Sequence, residues 1–211
     1  MDERAQRVIA YYGTDTETWS QRSPGPIATS LLAKERCDWL LFTASDLLGK
    51  RVLNVGGSFP FDEMKFSGFA VEWTAIDISP AVVKRQRDLF WDQLEGVRFE
   101  TMDGAALAFP SESIDLYLSF STIDHVPQEM QRLRHLREAY RVLRPGGIAC
   151  ISTEFVEFCQ DGRQDSDTFG FTHLFTLSEF LCLCQSAGFD IYHIERMAGI
   201  GSRLGFRFRR E

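Results

Sequence analysis

The sequence predicts an α/β domain: a doubly wound, mostly parallel seven-stranded sheet with a C-terminal antiparallel hairpin and helices on both faces. Three observations lead there. From residue 51 onward, apolar strand-like runs alternate with helical patterns at the spacing of parallel strands joined by crossover helices. The last two strand candidates, DIYHIER and LGFRFRR, are separated only by a short link around Gly199 to Ser202, which suits an antiparallel edge hairpin. The chain has 211 residues, 44% hydrophobic and 25% charged, the makeup of an ordinary soluble globular protein with one well-buried core or a core plus a small appendage.

The elements follow in order. ERAQRVIAYY (3–12) reads as a short helix ending at Gly13. Residues 14–27 form a loop, broken by Ser23-Pro24-Gly25-Pro26. A longer helix is expected across 30–47, with Leu31, Leu32, Trp39, Leu40 and Leu47 on its apolar side and Gly49 ending it. RVLNV (51–55) is the first strand, and a short helix starts near Phe59, with Ser58 as its cap and Pro60 in its first turn. AVEWTAIDI (70–78) is the second strand, followed by a helix over 80–94. Phe99 marks a third, IDLYLSFS (114–121) a fourth, and a helix covers 128–143. Pro145-Gly146-Gly147 turns the chain into IACISTEF (148–155). Thr176 and Glu179, three apart, form a capping box that opens a helix to Ala187, stopped by Gly188. Residues 1–48 thus read as an N-terminal helical cap segment and 49–211 as the main domain.

Composition narrows the function. A formal net charge of -7 argues against a nucleic-acid surface, which needs a basic field. Cys37, Cys150, Cys159, Cys182 and Cys184 make an odd set with no regular framework, and no secretory leader opens the chain, so reduced thiols and a cytoplasmic location are expected. Cys182 and Cys184 point different ways on a helix and make a poor metal pair. No run approaches 18 apolar residues, so no membrane role is expected.

In such sheets ligands bind beyond the carboxyl ends of the strands, where strand order reverses. That rule selects Asn54 to Ser58, Asp77, Asp103 and the stretch Ser119 to His125. Gly56-Gly57 lets the backbone pass close to a ligand. Asp77, about 20 positions on at the end of the second strand, is placed to accept ribose hydroxyls. Ser58 and Pro60 stand where a dinucleotide loop has glycines, and Asp62 and Glu63 add negative charge to the first helical turn. A pyrophosphate is poorly served there. A cofactor without phosphate tolerates both changes, so NAD is disfavoured.

Several stretches together resemble the class I S-adenosylmethionine-dependent methyltransferases, within them the small-molecule group related to ubiquinone and menaquinone biosynthesis. They are RVLNVGG, AIDIS, DGAALAFPSESIDLYLS, REAYRVLRPGG and LFTLSEFLCLCQSAGF. The resemblance spans roughly residues 50–190 and implies a Rossmann-like fold with S-adenosylmethionine as cofactor and S-adenosylhomocysteine as product. It assigns Gly56 and Gly57 to the methionine side, Asp77 with Ile78 to the ribose, and Asp103, Gly104 and Ala105 to the adenine. Ser119 and Phe120 match the fourth-strand end along the methionine portion. Where the family has an acid, this chain has Asn54, which keeps hydrogen-bonding capacity without the charge. Tyr11, Tyr12 and Trp19 lie in the segment that in this family folds across the pocket mouth; an aromatic cover dries the site and offers a face to a sulfonium.

Methyl transfer from a sulfonium is a direct displacement, so the protein mainly aligns the acceptor and excludes water, with a base where the acceptor must lose a proton. No metal is required. His125 in STIDHVP resembles the family position next to the transferred methyl, with Asp124 as its competitor or orienting partner. His173, in the loop before the 177–187 helix, is a candidate substrate contact, or a loop histidine packed by Phe171 and Phe175. His135, in the arginine-rich helix 132–144, and His193, in the strand candidate DIYHIER, read as surface residues, and that helix reads as running opposite the binding edge. The motif of base-amino methyltransferases is absent after the fourth strand. The expected acceptor is therefore an oxygen, nitrogen or activated carbon of a small metabolite, on a monomer or homodimer. A degenerate protein of the same fold that binds the cofactor weakly is the alternative, a macromolecular methyltransferase the lesser one.

Overall fold

The computed structural model describes residues 2–14, 41–159, 165–166, 170–196 and 203–211. Helix α1 (Glu3–Thr14) is followed by α2 (Ala44–Leu47), β1 (Arg51–Val55), α3 (Phe61–Phe66), β2 (Glu72–Asp77), α4 (Pro80–Phe90), β3 (Val97–Thr101) and β4 (Ile114–Phe120). Then come α5 (Glu129–Val142), β5 (Leu143–Glu154), a small ladder of β6 (Asp165–Ser166) with β7 (Thr172–His173), α6 (Leu177–Ala187), β8 (Asp190–Arg196) and β9 (Arg203–Arg209).

The large sheet has the order β3-β2-β1-β4-β5-β9-β8. Strands β1 to β5 are parallel to their neighbours, and β9 runs antiparallel between β5 and β8. The chain winds outward from β1 through β2 to β3, then returns to β4 on the other side of β1. Strand order therefore reverses between β1 and β4, and the crevice at their carboxyl ends is where such a sheet holds its ligand.

Alternation along β1 sends its side chains to both faces. Leu53 and Val55 join one core with Tyr117, Ile151, Leu136 and Ala139 of α5, and Phe180 of α6. Val52 joins the opposite core with Leu41, Phe42, Leu47, Trp73 and Leu118. Helix α4 adds Val82 and Val83 against Ala75 and Phe99. Helices cover both faces, as the strand pattern requires.

Several boundaries differ from the sequence expectation for local reasons. Helix α1 passes through Gly13 to Thr14, whose hydroxyl donates back to the Ala10 carbonyl at 2.8 Å. Of the helix expected across 30–47, residues 41–47 fall among the described ones, and only Ala44–Leu47 is α-helical there, because Thr43 is extended and caps a new short helix. Ser58 does not cap α3: it stands in the left-handed region at φ 46, its hydroxyl finds no partner among the described residues, and Pro60 occupies the cap position. Pro145-Gly146-Gly147 lies inside β5, as an irregularity skipped by the pairing with β4 between Leu143 and Ile148. Helix α4 stops at Phe90 rather than 94. The capping box on α6 forms as expected, with Glu179 N–H donating to Thr176 Oγ1 at 3.1 Å, and Gly188 closes the helix at φ 101.

Candidate functional site

One cavity of about 890 Å³ opens at the carboxyl ends of the strands around the switch point. It gathers most of the selected residues: Asn54, Gly56 and Gly57 after β1, Asp77 and Ile78 after β2, and Asp103, Gly104 and Ala105 after β3. Phe120, Asp124 and His125 arrive from the end of β4, and Tyr12 from α1. Ser119 lies buried beneath, outside the lining. His173 is also outside it, and Trp19 lies outside the described residues.

The glycine turn is built by contact. Gly56 has φ 75, and a Cβ there would stand 2.3 Å from Thr122 Cγ2. Thr122 is itself fixed, its hydroxyl donating to the Val55 carbonyl at 3.1 Å. A Cβ on Gly57 would meet Asn54 Nδ2 at 3.0 Å. Only bare backbone fits between β1 and the β4 loop.

The charge absent at position 54 is supplied from the next helix. Asn54 Nδ2 donates to Glu63 Oε1 at 2.7 Å and, more weakly, to Asp62 Oδ2 at 3.3 Å. Glu63 is buried and also accepts from Trp73 Nε1 at 3.0 Å; burial pushes its carboxyl above the usual range. Asp62, by contrast, lines the cavity. Asn54 Oδ1 is left buried without a donor among the described residues.

Asp77 is 8% exposed, and one oxygen accepts the Ser79 N–H at 2.8 Å. Burial pushes its carboxyl up to about 6, against the backbone N–H groups that pull it down. Asp103 closes the third loop by accepting the Ala105 N–H at 2.8 Å.

His125 is oriented through both ring nitrogens. Nδ1 lies 2.7 Å from the Phe171 carbonyl, an acceptor only, so Nδ1 carries the hydrogen. Nε2 then accepts from the Tyr12 hydroxyl at 3.0 Å. Asp124 is not its orienting partner, nor does it cap α5, whose cap is Gln128. It stands buried in the 3-10 turn Ile123–His125 and lines the cavity, with Oδ1 unmatched by any donor among the described residues. Arg132 holds this loop from below, donating to the Val126 carbonyl at 3.0 Å.

His173 belongs to a separate ionic cluster. Nδ1 meets Asp165 Oδ1 at 2.7 Å, Nε2 meets Glu179 Oε1 at 2.9 Å, and its ring stands edge-on to Phe175 at 4.8 Å. With both nitrogens engaged away from the cavity, its position matches the packed-loop reading rather than substrate contact.

Two expectations about α5 need correction. His135 is not a surface residue: it is 3% exposed and lines the cavity. Nor does α5 run opposite the binding edge throughout. A crossover helix after β4 must start where β4 ends, so its first turns bring Gln128, Gln131 and His135 to the cavity. Arg203 at the start of β9, 1% exposed and 3.8 Å from Glu154, reaches it too. The sequence carries no signal for Arg203, which lies beside an apolar strand run. Among the described residues, no group of three or more His, Cys, Asp or Glu side chains could hold a metal ion, and no helix is long and apolar enough to cross a membrane.

With sheet order and site in place, the chain has the class I S-adenosylmethionine-dependent methyltransferase fold. Residues 51–151 match the family described as Methyltransferase domain. The chain is 34% identical over 103 residues to 2-methyl-6-phytyl-1,4-hydroquinone methyltransferase 2, chloroplastic, of Oryza sativa subsp. japonica, covering 48% of this chain and 28% of that protein. The chain thus spans less than a third of that relative's length. Among solved structures, an S-adenosylmethionine dependent methyltransferase from Mesorhizobium loti superposes with a TM-score of 0.70 at 20% identity, covering 84% of this chain and 98% of the other. The N-methyltransferase NodS from Bradyrhizobium japonicum WM9, in complex with S-adenosyl-L-homocysteine, gives 0.69 at 14%, covering 99% of each chain.

Proposed function

We propose that the protein is an S-adenosylmethionine-dependent methyltransferase acting on a small molecule. One observation carries this reading: the bare Gly56-Gly57 turn, the buried Asp77 and the exposed Asp103 line the same cavity as the Tyr12–His125 pair. The residues fit the cofactor. Asp77 accepts ribose hydroxyls, the backbone at Gly104 and Ala105 borders the adenine, and Asp62 with Asn54 Oδ1 faces the positively charged amino end. Bound there, S-adenosylmethionine supplies a methyl group already activated on sulfur, for direct displacement by an oxygen, nitrogen or activated carbon.

The protein's own residues then handle the acceptor. Tyr12 and His125 form the acid–base pair: a proton leaving the acceptor passes to Nε2, directly or through the phenol, while the Phe171 carbonyl steadies the resulting imidazolium through Nδ1–H. Asp124 takes a hydrogen bond from the acceptor. Val8, Ile9 and Val126 line an apolar wall, so a hydroquinone-like ring, named for the rice relative, is the acceptor class we favour. Within the N-terminal segment 1–48, helix α1 acts as the cap, and 49–211 act as the cofactor-binding domain; His173 secures the wall without touching substrate.

Calorimetric titration with S-adenosylmethionine, S-adenosylhomocysteine and NAD tests the proposal. Both sulfur ligands should bind and NAD should not bind comparably, because Ser58 and Pro60 crowd the loop a pyrophosphate needs. Micromolar NAD binding with silence toward both sulfur ligands would sink it.

A further inference from the structure

Helix α5 carries a buried imidazole that the mechanism above leaves unused. His135 projects from α5 toward the loop after β3, where its ring lies directly against Gly104. A Cβ on Gly104 would stand 2.6 Å from both His135 Nδ1 and Cε1, and 3.0 Å from Val55 Cγ1. The glycine is therefore what lets the imidazole edge reach the cavity surface. Met102, Asp103, Gly104, Ala105 and His135 line that end of the cavity together.

The hydrogen-bond network fixes which nitrogen carries the hydrogen. Nε2 lies 2.9 Å from the hydroxyl of Tyr117, a fully buried side chain on β4. Burial drives the Tyr117 phenol strongly upward, so it keeps its hydrogen. A buried O–H must donate, and Nε2 is the acceptor that faces it. The imidazole hydrogen then sits on Nδ1, on the edge turned to Gly104. Among the described residues, the one hydrogen bond of His135 uses Nε2. Burial also pushes the imidazole down to about 4, so near neutral pH it is an uncharged donor. An uncharged donor suits a neutral heterocycle and gives no advantage to a phosphate.

We infer that His135 is a nucleobase-contacting residue of the cofactor site, presenting Nδ1–H to a ring nitrogen of the bound adenine. The inference rests on the methyltransferase reading and adds to it a residue outside the glycine turn and the strand-end acids. Its alternative is a purely structural role, in which His135 merely props the Gly104 loop.

Binding separates the two. S-adenosylhomocysteine and its 1-deaza, 3-deaza and 7-deaza analogues, each replacing one ring nitrogen by CH, are titrated calorimetrically into the wild type and His135→Phe. The wild type should bind one of the analogues about tenfold more weakly than S-adenosylhomocysteine, the scale of one lost hydrogen bond. In His135→Phe that penalty should vanish, while S-adenosylhomocysteine itself binds about tenfold more weakly. Should His135→Phe fail to fold, His135→Leu carries the same comparison, since it too lacks the donor. If all three analogues keep the same affinity ratios in wild type and variant, His135 is structural and the inference is overturned. A wild type that binds none of the four ligands overturns the cofactor reading itself, a result distinct from parallel ratios.

Discussion

Asp77→Asn is expected to yield a protein that is more stable without cofactor at pH 8 and binds the cofactor more weakly. The folded-state value of Asp77 stands at about 6 against an ordinary 3.8, with burial as its largest cause. A carboxyl raised by folding contributes its full stability below pH 3.8 and loses it as pH rises through about 6. At pH 8 the buried carboxylate therefore costs on the order of 2–3 kcal/mol. Asn is neutral and keeps the acceptor that Ser79 N–H uses at 2.8 Å. The melting temperature of the variant should exceed that of the wild type at pH 8, with the gap closing at pH 4. Affinity for S-adenosylhomocysteine should fall by about 1–3 kcal/mol, as imperfectly met ribose hydroxyls imply. Equal melting curves at pH 8 would show that Asp77 bears no such burden, and an unchanged titration would remove the ribose assignment.

The largest effect on rate is expected at His125. Once an acceptor is found by product mass, with substituted hydroquinones as the first set to try, His125→Ala should lower kcat by about 10²–10⁴-fold if the acceptor must be deprotonated. Affinity for S-adenosylhomocysteine should change little. Tyr12→Phe tells how the proton travels, because the phenol stands 3.0 Å from Nε2. A drop comparable to that of His125→Ala places Tyr12 in the path, and a small one leaves direct transfer to Nε2. An unchanged kcat in His125→Ala at saturating acceptor would make His125 a structural residue and leave catalysis to alignment alone.

What could be read from the residues is what depends on local pattern. Strand alternation, the Thr176–Glu179 box and Gly188 gave the elements, and the strand-end rule brought Gly56, Asp77, Asp103 and His125 into one cavity. What escaped depends on partners distant in sequence. Asn54 reads as a lost charge until Glu63 and Asp62 are seen around it. His135 sits among arginines and leucines, and its burial follows from α5 starting at the end of β4 and from Tyr117 waiting below. Arg132 belongs to a charged run, yet it is 5% exposed because it reaches under the His125 loop. The tautomer of His125 depends on Phe171, 46 positions away, and no periodicity encodes that.

Helix α1 is seated from outside the sheet: Arg85 Nη2 donates to the Gly13 carbonyl at 3.2 Å, Arg4 pairs with Asp165 at 3.5 Å, and Gly170 packs against the backbone at Arg7. Two of these three attachments use backbone atoms of α1, which any sequence with the same helix and a compatible end supplies. The inward side chains Ala5, Val8 and Ile9 are then free to vary independently of the seat, while Tyr12 stays committed to His125. Helix α1 is in that sense an exchangeable cartridge. New acceptor preferences are reachable by rewriting three positions on one helix, with Tyr12 and the β1, β2 and β3 loops inherited intact.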